Sequence, residues 1–316
     1  MSSANQKALF LPSKHADFAV GPTGIPTPGG GELLAKSQAI GLNPIEWKIQ
    51  KYGVIVETSP AIIGTEFPGI VEAVGEGVTS FQTGDKLPPS ISFEQATSIP
   101  TGVSTAAIGL YQNTEFGAGL TAPWEQCGKG KYKGKPLLVL GGGGSLCPAG
   151  HLTVSQVIQF ARLSRFSPII ATASLHNSAH LQSLGATHVV DRSLDASLLR
   201  EEIAKITSAP IEVVLDTVGS PQTQQSAVEL LAHAPSNLGD AVSGGKRVRT
   251  SFASPFHPFN RSVGAGYFSN LTAYIESGDI QVLLPSGLNG ILGGLARLEE
   301  GKITGVKLIV RPQETI

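Results

Sequence analysis

A run of small residues in the middle of the chain gives the clearest indication of a ligand-binding site. It consists of Gly141, Gly142, Gly143, Gly144 and Ser145. An apolar strand pattern precedes the run, and a helical pattern follows it. In a parallel sheet such a turn presents backbone N–H groups, and glycines let the backbone approach a pyrophosphate closely. The run therefore predicts a dinucleotide-binding turn, although residues 146–152 intervene and no regular three-glycine spacing is present. The alternative is an ordinary glycine-rich connection.

The next strand of the same series, residues 168–173, ends without a carboxylate. An Asp or Glu in that position usually binds the ribose hydroxyls of NAD. Here Ser174, His176 and Asn177 follow the strand, and Arg192 follows the third strand. Hydroxyl or amide groups and a cation suit the 2′-phosphate of NADP, which a carboxylate would repel. We therefore expect NADP(H) as the cofactor. The alternative is that His176 and Arg192 are solvated surface residues.

A further pair of candidate cofactor contacts, Asp216 and Val218, follows the fourth strand pattern. Ligands of doubly wound sheets bind outside the carboxyl ends of the strands, and both residues occupy such a position. The alternative is an ordinary strand-to-helix cap.

These candidates depend on a regular alternation of elements that begins at residue 136. Short, wholly apolar strand patterns alternate there with helical periods, which is typical of parallel strands covered on both faces. The strands are expected at residues 136–140, 168–173, 187–191, 211–216 and 247–252. This pattern predicts an α/β fold with a Rossmann doubly wound parallel sheet. The first hundred residues instead carry short strand patterns separated by Gly and Pro, which predict a small β-barrel.

Composition limits the partners. Lys and Arg total 23 and Asp and Glu total 24, which gives a net charge of -1. This balance argues against nucleic acid or an anionic membrane as the main partner and favours a small molecule. Cys127 and Cys147 are the only cysteines, so a four-cysteine zinc site is impossible and a disulfide framework is not expected. The apolar runs are too short for a bilayer span, and we expect a cytoplasmic protein.

Several ordered motifs make a resemblance specific. They lie at residues 43–48, 64–78, 81–86, 172–174, 183–191 and 301–310. Together they resemble the medium-chain dehydrogenase/reductase superfamily, in its zinc-free quinone and enoyl reductase branch, and are similar to fungal enoyl reductases that act in trans with polyketide synthases. The resemblance implies a GroES-like β-barrel catalytic domain at residues 1–102, a Rossmann NADP-binding domain at 103–266, and a return to the catalytic domain at 267–316.

The resemblance also implies a reaction and roles for individual residues. An NADPH-dependent reductase of this branch transfers hydride to an activated C=C bond of an enone, quinone or acyl thioester. Asn43 would lie beside the nicotinamide and Thr105 would bond its carboxamide. Lys48 and Tyr111 are candidate proton donors, with an ordinary surface or core position as the alternative for each. A polyketide synthase is a candidate partner, and the protein would be a monomer or a homodimer.

Zinc is not expected at the catalytic position of this branch. Where zinc-dependent members have a ligand histidine this chain has Thr65, and no cysteine occurs before residue 127. The ligands that zinc prefers therefore cannot be assembled from these positions.

One departure from the family concerns the first domain. After residue 86 the chain passes directly to residues 87–96, where the family continues through further barrel strands. A shortened barrel would open the substrate side to water and leave strand edges unpaired. The alternative function is therefore a catalytically silent dinucleotide-binding protein that acts as a sensor or partner module.

Overall fold

The chain forms two units. The computed structural model describes residues 5–141, 150–231, 249, 251, 253–280, 286–287, 295–296, 298–300 and 308–314. The first unit comprises Met1–Pro100 together with Val282–Ile316, and the second comprises Thr101–Gln281. The second unit thus extends past the boundary expected at residue 266, because one long helix continues beyond that point.

The elements follow one another in two distinct styles. The first unit begins with short strands and two helices: β1 (Asn5–Leu11), β2 (Ala19–Gly24), β3 (Leu33–Ser37), β4 (Ile40–Leu42), α1 (Pro44–Tyr52), β5 (Ala61–Ile62), β6 (Gly69–Val74) and α2 (Phe93–Ala96). Strands and helices then alternate: α3 (Pro100–Tyr111), β7 (Leu137–Leu140), α4 (Gly150–Leu163), β8 (Ile169–Ala173), α5 (Ser178–Leu184), β9 (His188–Asp191), α6 (Ala196–Ile206), β10 (Val214–Asp216), α7 (Pro221–Leu230) and α8 (Arg261–Glu276). The chain ends with β11 (Ser286–Gly287) and β12 (Leu308–Val310).

The first unit is built from small sheets. Strand β1 pairs antiparallel with β2 and β5, and β3 pairs antiparallel with β6. Strand β12 pairs antiparallel with β4, with Leu308 opposite Leu42, and parallel with β11. The C-terminal strand therefore packs among the first hundred residues. Its pairing also completes a core cluster made of Leu11, Phe18, Leu42, Trp47, Ile49, Leu295, Leu298 and Leu308.

The start of helix α1 is determined by its own sequence. Asn43 is the N-cap, Pro44 occupies the first turn, and the Glu46 carboxylate accepts the Asn43 backbone N–H at 2.6 Å. Pro is preorganised for this position and a Glu three residues after the cap satisfies an otherwise unpaired N–H. Gly53 ends the helix at a φ of 62°, a conformation that favours glycine. The helix therefore presents Asn43 and Glu46 together at its N-terminus.

The second unit contains a parallel sheet in the order β10-β7-β8-β9. All four residues of β7 are buried, which explains their wholly apolar sequence. Because β8 lies on one side of β7 and β10 on the other, the strand order reverses beside β7. The carboxyl ends at such a reversal form the usual ligand crevice of doubly wound sheets.

Three expected elements have different outcomes. Most of the fifth strand expected at residues 247–252 lies outside the described residues; Arg249 and Ser251 are described and bond to the carbonyl oxygens of Thr114 and Phe116. The apolar pattern at residues 268–277, which by itself predicts a helix, is the second half of α8, which begins at Arg261. A helical sequence pattern at residues 291–300 is described only in part, and residues 295–296 and 298–299 are helical. Among the described helices, none has the length and apolar character needed to cross a bilayer.

The pairing of β12 leads to a stability prediction. We expect Leu308→Ala to lower the free energy of unfolding of the first unit by about 2–5 kcal/mol, because it opens a cavity in a buried cluster. Val310→Ala is the matched control and should cost less, since Val310 is only half-buried. Urea unfolding followed by the fluorescence of Trp47, in a Trp124→Phe background, measures both. An unchanged Trp47 transition in Leu308→Ala would contradict this packing.

Candidate functional site

The end of β7 is held on both sides by threonine side chains. The hydroxyl of Thr172 in β8 accepts the Gly141 N–H at 3.1 Å and donates to the Gly141 carbonyl at 3.0 Å. On the other side, the backbone N–H and hydroxyl of Thr217 both donate to the Leu140 carbonyl, at 3.0 and 3.1 Å. The point where the chain leaves the central strand is therefore fixed laterally by β8 and by the residue after β10.

Gly141 itself has no room for a side chain. A Cβ there would lie 2.5 Å from Cγ2 of Val154 and 2.8 Å from the Thr172 carbonyl oxygen. Both distances are too short for any side chain, so glycine is required for the close approach of α4 to the sheet. The other predicted residues of the run, Gly142, Gly143, Gly144 and Ser145, lie outside the described residues.

The candidate residues for the adenosine end lie at neighbouring strand ends. Ser174 and Asn177, which follow β8, are half-buried, whereas His176 and Arg192 are exposed. The Arg192 backbone N–H donates to the Ala173 carbonyl at 3.2 Å, so the ends of β8 and β9 are adjacent. The structure thus brings this predicted set to one edge of the sheet.

An acid is present at this edge, but at the end of β9 rather than β8. The Asp191 carboxylate accepts the backbone N–H of Ser193 at 2.9 Å and its hydroxyl at 2.8 Å. The backbone bond, followed by the hydroxyl bond, holds the pKa of Asp191 below its ordinary value. Asp191 is therefore ionised at neutral pH and engaged by its own turn.

The turn after β10 is a strand-to-helix cap. The Asp216 carboxylate accepts the N–H groups of Val218 and Gly219 at 2.9 and 3.1 Å, and the Thr223 hydroxyl at 2.8 Å. The alternative considered for Asp216, an ordinary strand-to-helix cap, is thus the arrangement observed. The Val218 N–H is engaged by Asp216 within the turn, and contact of this pair with the cofactor stays a prediction.

Tyr111 is a core residue, and the prediction that it donates a proton is wrong. Its ring packs edge-on against Trp124 and Phe160, with centroids 5.1 and 5.8 Å apart. Its hydroxyl bonds to Ser164 Oγ at 2.8 Å and donates to the Phe160 carbonyl at 3.2 Å. Burial raises the pKa of Tyr111 well above its ordinary value. A group so enclosed cannot exchange a proton with a substrate.

Thr105 lies on α3 and is half-buried. Its hydroxyl donates to the Thr101 carbonyl at 2.7 Å, within the helix. The oxygen lone pairs remain able to accept a bond. The preceding Ser104 is buried and its hydroxyl lies 2.6 Å from that of Tyr267, whose pKa burial raises to about 12. The Ser104–Tyr267 pair therefore belongs to the core.

In the first unit, four polar side chains form a hydrogen-bonded cluster, of which three are buried and Thr65 is exposed. Asn43 Nδ2 donates to Thr65 Oγ1 at 2.8 Å and to Glu66 Oε1 at 2.9 Å. The Thr65 hydroxyl donates to Glu46 Oε1 at 2.9 Å. Asn43, Glu46 and Glu66 are 3–4% exposed, so both carboxylates are removed from water. The cluster joins the start of α1 to the loop before β6 through hydrogen bonds.

This cluster does not suit zinc. It offers carboxylate, hydroxyl and amide groups that already bond to one another, whereas zinc sites are built mainly from Cys and His. Within the described part of the chain, no group of three or more His, Cys, Asp or Glu side chains is arranged to hold a metal. From the sequence, Asn43 and Thr65 are expected at this site, whereas Glu46 and Glu66 have no predicted role. A Glu three residues after an Asn N-cap is the sequence signal that indicates Glu46.

Lys48, the other candidate proton donor, lies one helical turn beyond the cluster. It is half-buried, and its ammonium is 5.7 Å from the ring centroid of Trp47. That distance is within the range of a cation–π interaction. The Lys51 ammonium lies at the same distance from this ring, so two cations flank Trp47.

The fold and these two sites define a dinucleotide-binding α/β unit combined with a GroES-like unit. Residues 29–146 match the family model described as the alcohol dehydrogenase GroES-like domain, and residues 155–258 match the one described as zinc-binding dehydrogenase. The chain belongs to the medium-chain dehydrogenase/reductase superfamily of oxidoreductases and resembles its enoyl and quinone reductases. A nicotinamide dinucleotide is the cofactor of this family.

Individual relatives agree with this assignment. The dehydrogenase orsE of Emericella nidulans is 26% identical over 97% of this chain and 99% of its own length. The enoyl reductase component lovC of the lovastatin nonaketide synthase of Aspergillus terreus is 25% identical over 89% of both chains. The Escherichia coli quinone oxidoreductase, solved in complex with NADPH, has a TM-score of 0.73 with 20% identity and covers 97% of this chain and 100% of its own. This last likeness shows the fold.

The buried cluster leads to a pH-dependent prediction. Asn43→Asp would place a third carboxyl group against Glu46 and Glu66, so that one of the three must take up a proton on folding. We expect a loss of about 2–4 kcal/mol of stability at pH 7. The group with the raised pKa is protonated as pH falls, so the loss should shrink toward pH 5.

The control is Asn113→Asp, at an exposed position, which should change stability little at either pH. Urea unfolding at pH 5 and pH 7 measures both variants. If the stability of Asn43→Asp and of Asn113→Asp changes with pH in the same way, the cluster accommodates a third carboxyl group and the prediction is wrong.

Proposed function

We propose that this protein is an NADPH-dependent, zinc-independent reductase of an activated C=C bond in an enone, quinone or acyl thioester. The observation that carries the proposal is the cluster of Asn43, Thr65 and Glu66. It occupies the motif in which zinc-dependent members have ligands, and it satisfies itself by hydrogen bonds. The reaction must then be one that proceeds without a Lewis acid, as reduction of a conjugated C=C bond does.

The second unit would hold the cofactor. Gly141 fits this role because a Cβ there would clash with Val154 and the Thr172 carbonyl oxygen, so only glycine allows the backbone to run this close to its neighbours. Backbone N–H groups of the glycine run would bind the pyrophosphate, and Ser174, Asn177 and Arg192 would bind the 2′-phosphate. When bound, NADPH supplies a hydride to the β-carbon of the substrate.

The protein's own groups would stabilise charge and supply a proton. Negative charge develops on the substrate carbonyl oxygen during the reaction, and donors aimed at it lower the barrier. Both hydrogens of Asn43 Nδ2 are already donated to Thr65 and Glu66. Asn43 would therefore act as a rigid surface beside the nicotinamide rather than as a donor. Thr105 would contact the carboxamide, and Lys48 remains the candidate proton donor.

A thioester substrate would link the protein to a synthase. The relative from Aspergillus terreus is named as the enoyl reductase component of a nonaketide synthase. We infer by analogy that this chain acts in trans with a polyketide synthase and reduces an acyl thioester.

A second candidate function is a dinucleotide-binding protein without turnover. The alignment with the Emericella nidulans relative runs over 364 positions, whereas this chain has 316 residues, so this chain lacks residues that the relative has. If the missing residues enclose the substrate, cofactor binding would survive and reduction would not.

Two measurements on the purified protein separate the candidates. NADPH oxidation is followed with a panel of enones, quinones and acyl thioesters, with and without a chelator, and NADPH binding is titrated by fluorescence. The proposal expects binding and chelator-resistant turnover of at least one class. Binding without turnover favours the second candidate, and turnover lost in chelator contradicts zinc independence.

The cofactor preference is tested at Arg192. We expect NADPH to bind more tightly than NADH, and Arg192→Ala to weaken NADPH binding about 10- to 100-fold with little effect on NADH. Arg200→Ala, an exposed arginine paired with Glu229 on the outer helices, is the matched control and should change neither. Equal losses for both cofactors would make Arg192 structural, and tighter binding of NADH would refute the NADP assignment.

A further inference from the structure

We propose that Thr172 is a positioning residue for the dinucleotide site, acting by fixing the first glycine of the glycine run. This inference rests on the proposed function, since it concerns how that site is preorganised. It adds a role for a side chain within β8.

The geometry at Gly141 is the first step. Main-chain pairing of β7 with β8 ends at the pair Leu140 and Thr172. The next residue, Gly141, has lost that ladder, and the Thr172 hydroxyl replaces it by bonding to both the N–H and the carbonyl of Gly141. One side chain thus fixes the two peptide groups that flank the Gly141 Cα.

Burial makes this arrangement strict. Thr172 is 4% exposed and Gly141 is buried, so water is not available to replace either bond. Leaving a buried peptide group unpaired is costly, and the chain would move to avoid it. Val154 from α4 packs against Gly141 on its free side, so such movement would also disturb the start of the helix.

The end of β7 is also held from the β10 side. Thr217 donates twice to the Leu140 carbonyl. Together the two threonines set the direction in which the chain leaves the sheet. A phosphate-binding turn that is ordered before the ligand arrives avoids the entropic cost of ordering it on binding. Loss of the Thr172 hydroxyl should therefore weaken binding without removing any ligand contact.

The chain supplies a matched control within the same sheet. Thr187, just before β9, makes the same pair of bonds to Ile169: its hydroxyl accepts the N–H and donates to the carbonyl, both at 2.9 Å. This second clamp lies at the amino ends of the strands, away from the ligand edge. Thr172→Val and Thr187→Val thus remove the same chemistry from opposite ends of the sheet.

The test is titration of NADPH and NADH into the wild type, Thr172→Val, Thr187→Val and Thr172→Ser. Urea curves verify folding of each variant. Because the pyrophosphate is common to both cofactors, we expect Thr172→Val to raise the dissociation constant of each about tenfold. Thr187→Val should stay within about twofold of the wild type, and Thr172→Ser should restore binding because it keeps the hydroxyl.

Each outcome decides the proposal. If Thr172→Val and Thr187→Val bind the cofactors with equal affinity, the proposal is overturned. A loss of affinity for NADPH alone also overturns it, because only NADPH carries the 2′-phosphate. If Thr172→Val does not fold, Thr217→Val replaces it; that variant keeps its backbone bond to Leu140 and should lose about threefold in affinity for both cofactors, and no loss overturns the proposal. A wild type that binds neither cofactor refutes the proposed function itself and this inference with it.

Discussion

The burial of β7 between two parallel neighbours is the constraint on which the rest of the second unit depends. Its four residues are enclosed on both faces and on both edges, so the strand can be neither moved nor shortened without exposing apolar surface. The chain must then leave the sheet at Gly141, between the ends of β8 and β10. The candidate contacts for the pyrophosphate and for the adenosine end of the cofactor follow the carboxyl ends of strands of this sheet.

The sequence predicts this unit well because its signal is local. Strands buried on both faces must be apolar throughout, and the patterns at residues 168–173 and 187–191 correspond to β8 and β9 within one residue. The pattern at 211–216 is less accurate, since only Val214–Asp216 is a strand; Ile211 is apolar because it packs in the core. Apolar character identifies burial there, and hydrogen bonding alone decides where the strand begins.

What the sequence does not predict are contacts between distant residues. Asn43 meets Thr65 and Glu66 across more than twenty positions, and nothing local distinguishes a Glu that caps a helix in solvent from one in a buried cluster. Tyr111 is the opposite case. A tyrosine on a helix is compatible with proton donation until Phe160 and Ser164 enclose it, about fifty residues further along the chain. Chemical type sets which roles are available, and tertiary packing selects among them.

The two units place different demands on the chain, and this explains how the shortened first unit expected from the sequence is compatible with an intact second one. The parallel sheet, its clamps and the packing of α4 on Gly141 all arise within residues 101–281, so the proposed cofactor site depends on that segment. The buried cluster around Asn43 arises within the first hundred residues and is likewise complete in itself. Loss of barrel strands therefore removes neither. Under the proposed function, it would change the exclusion of water from the substrate, on which turnover would depend and cofactor binding would not. Cofactor affinity can thus persist where turnover is lost, so a binding measurement alone does not establish turnover.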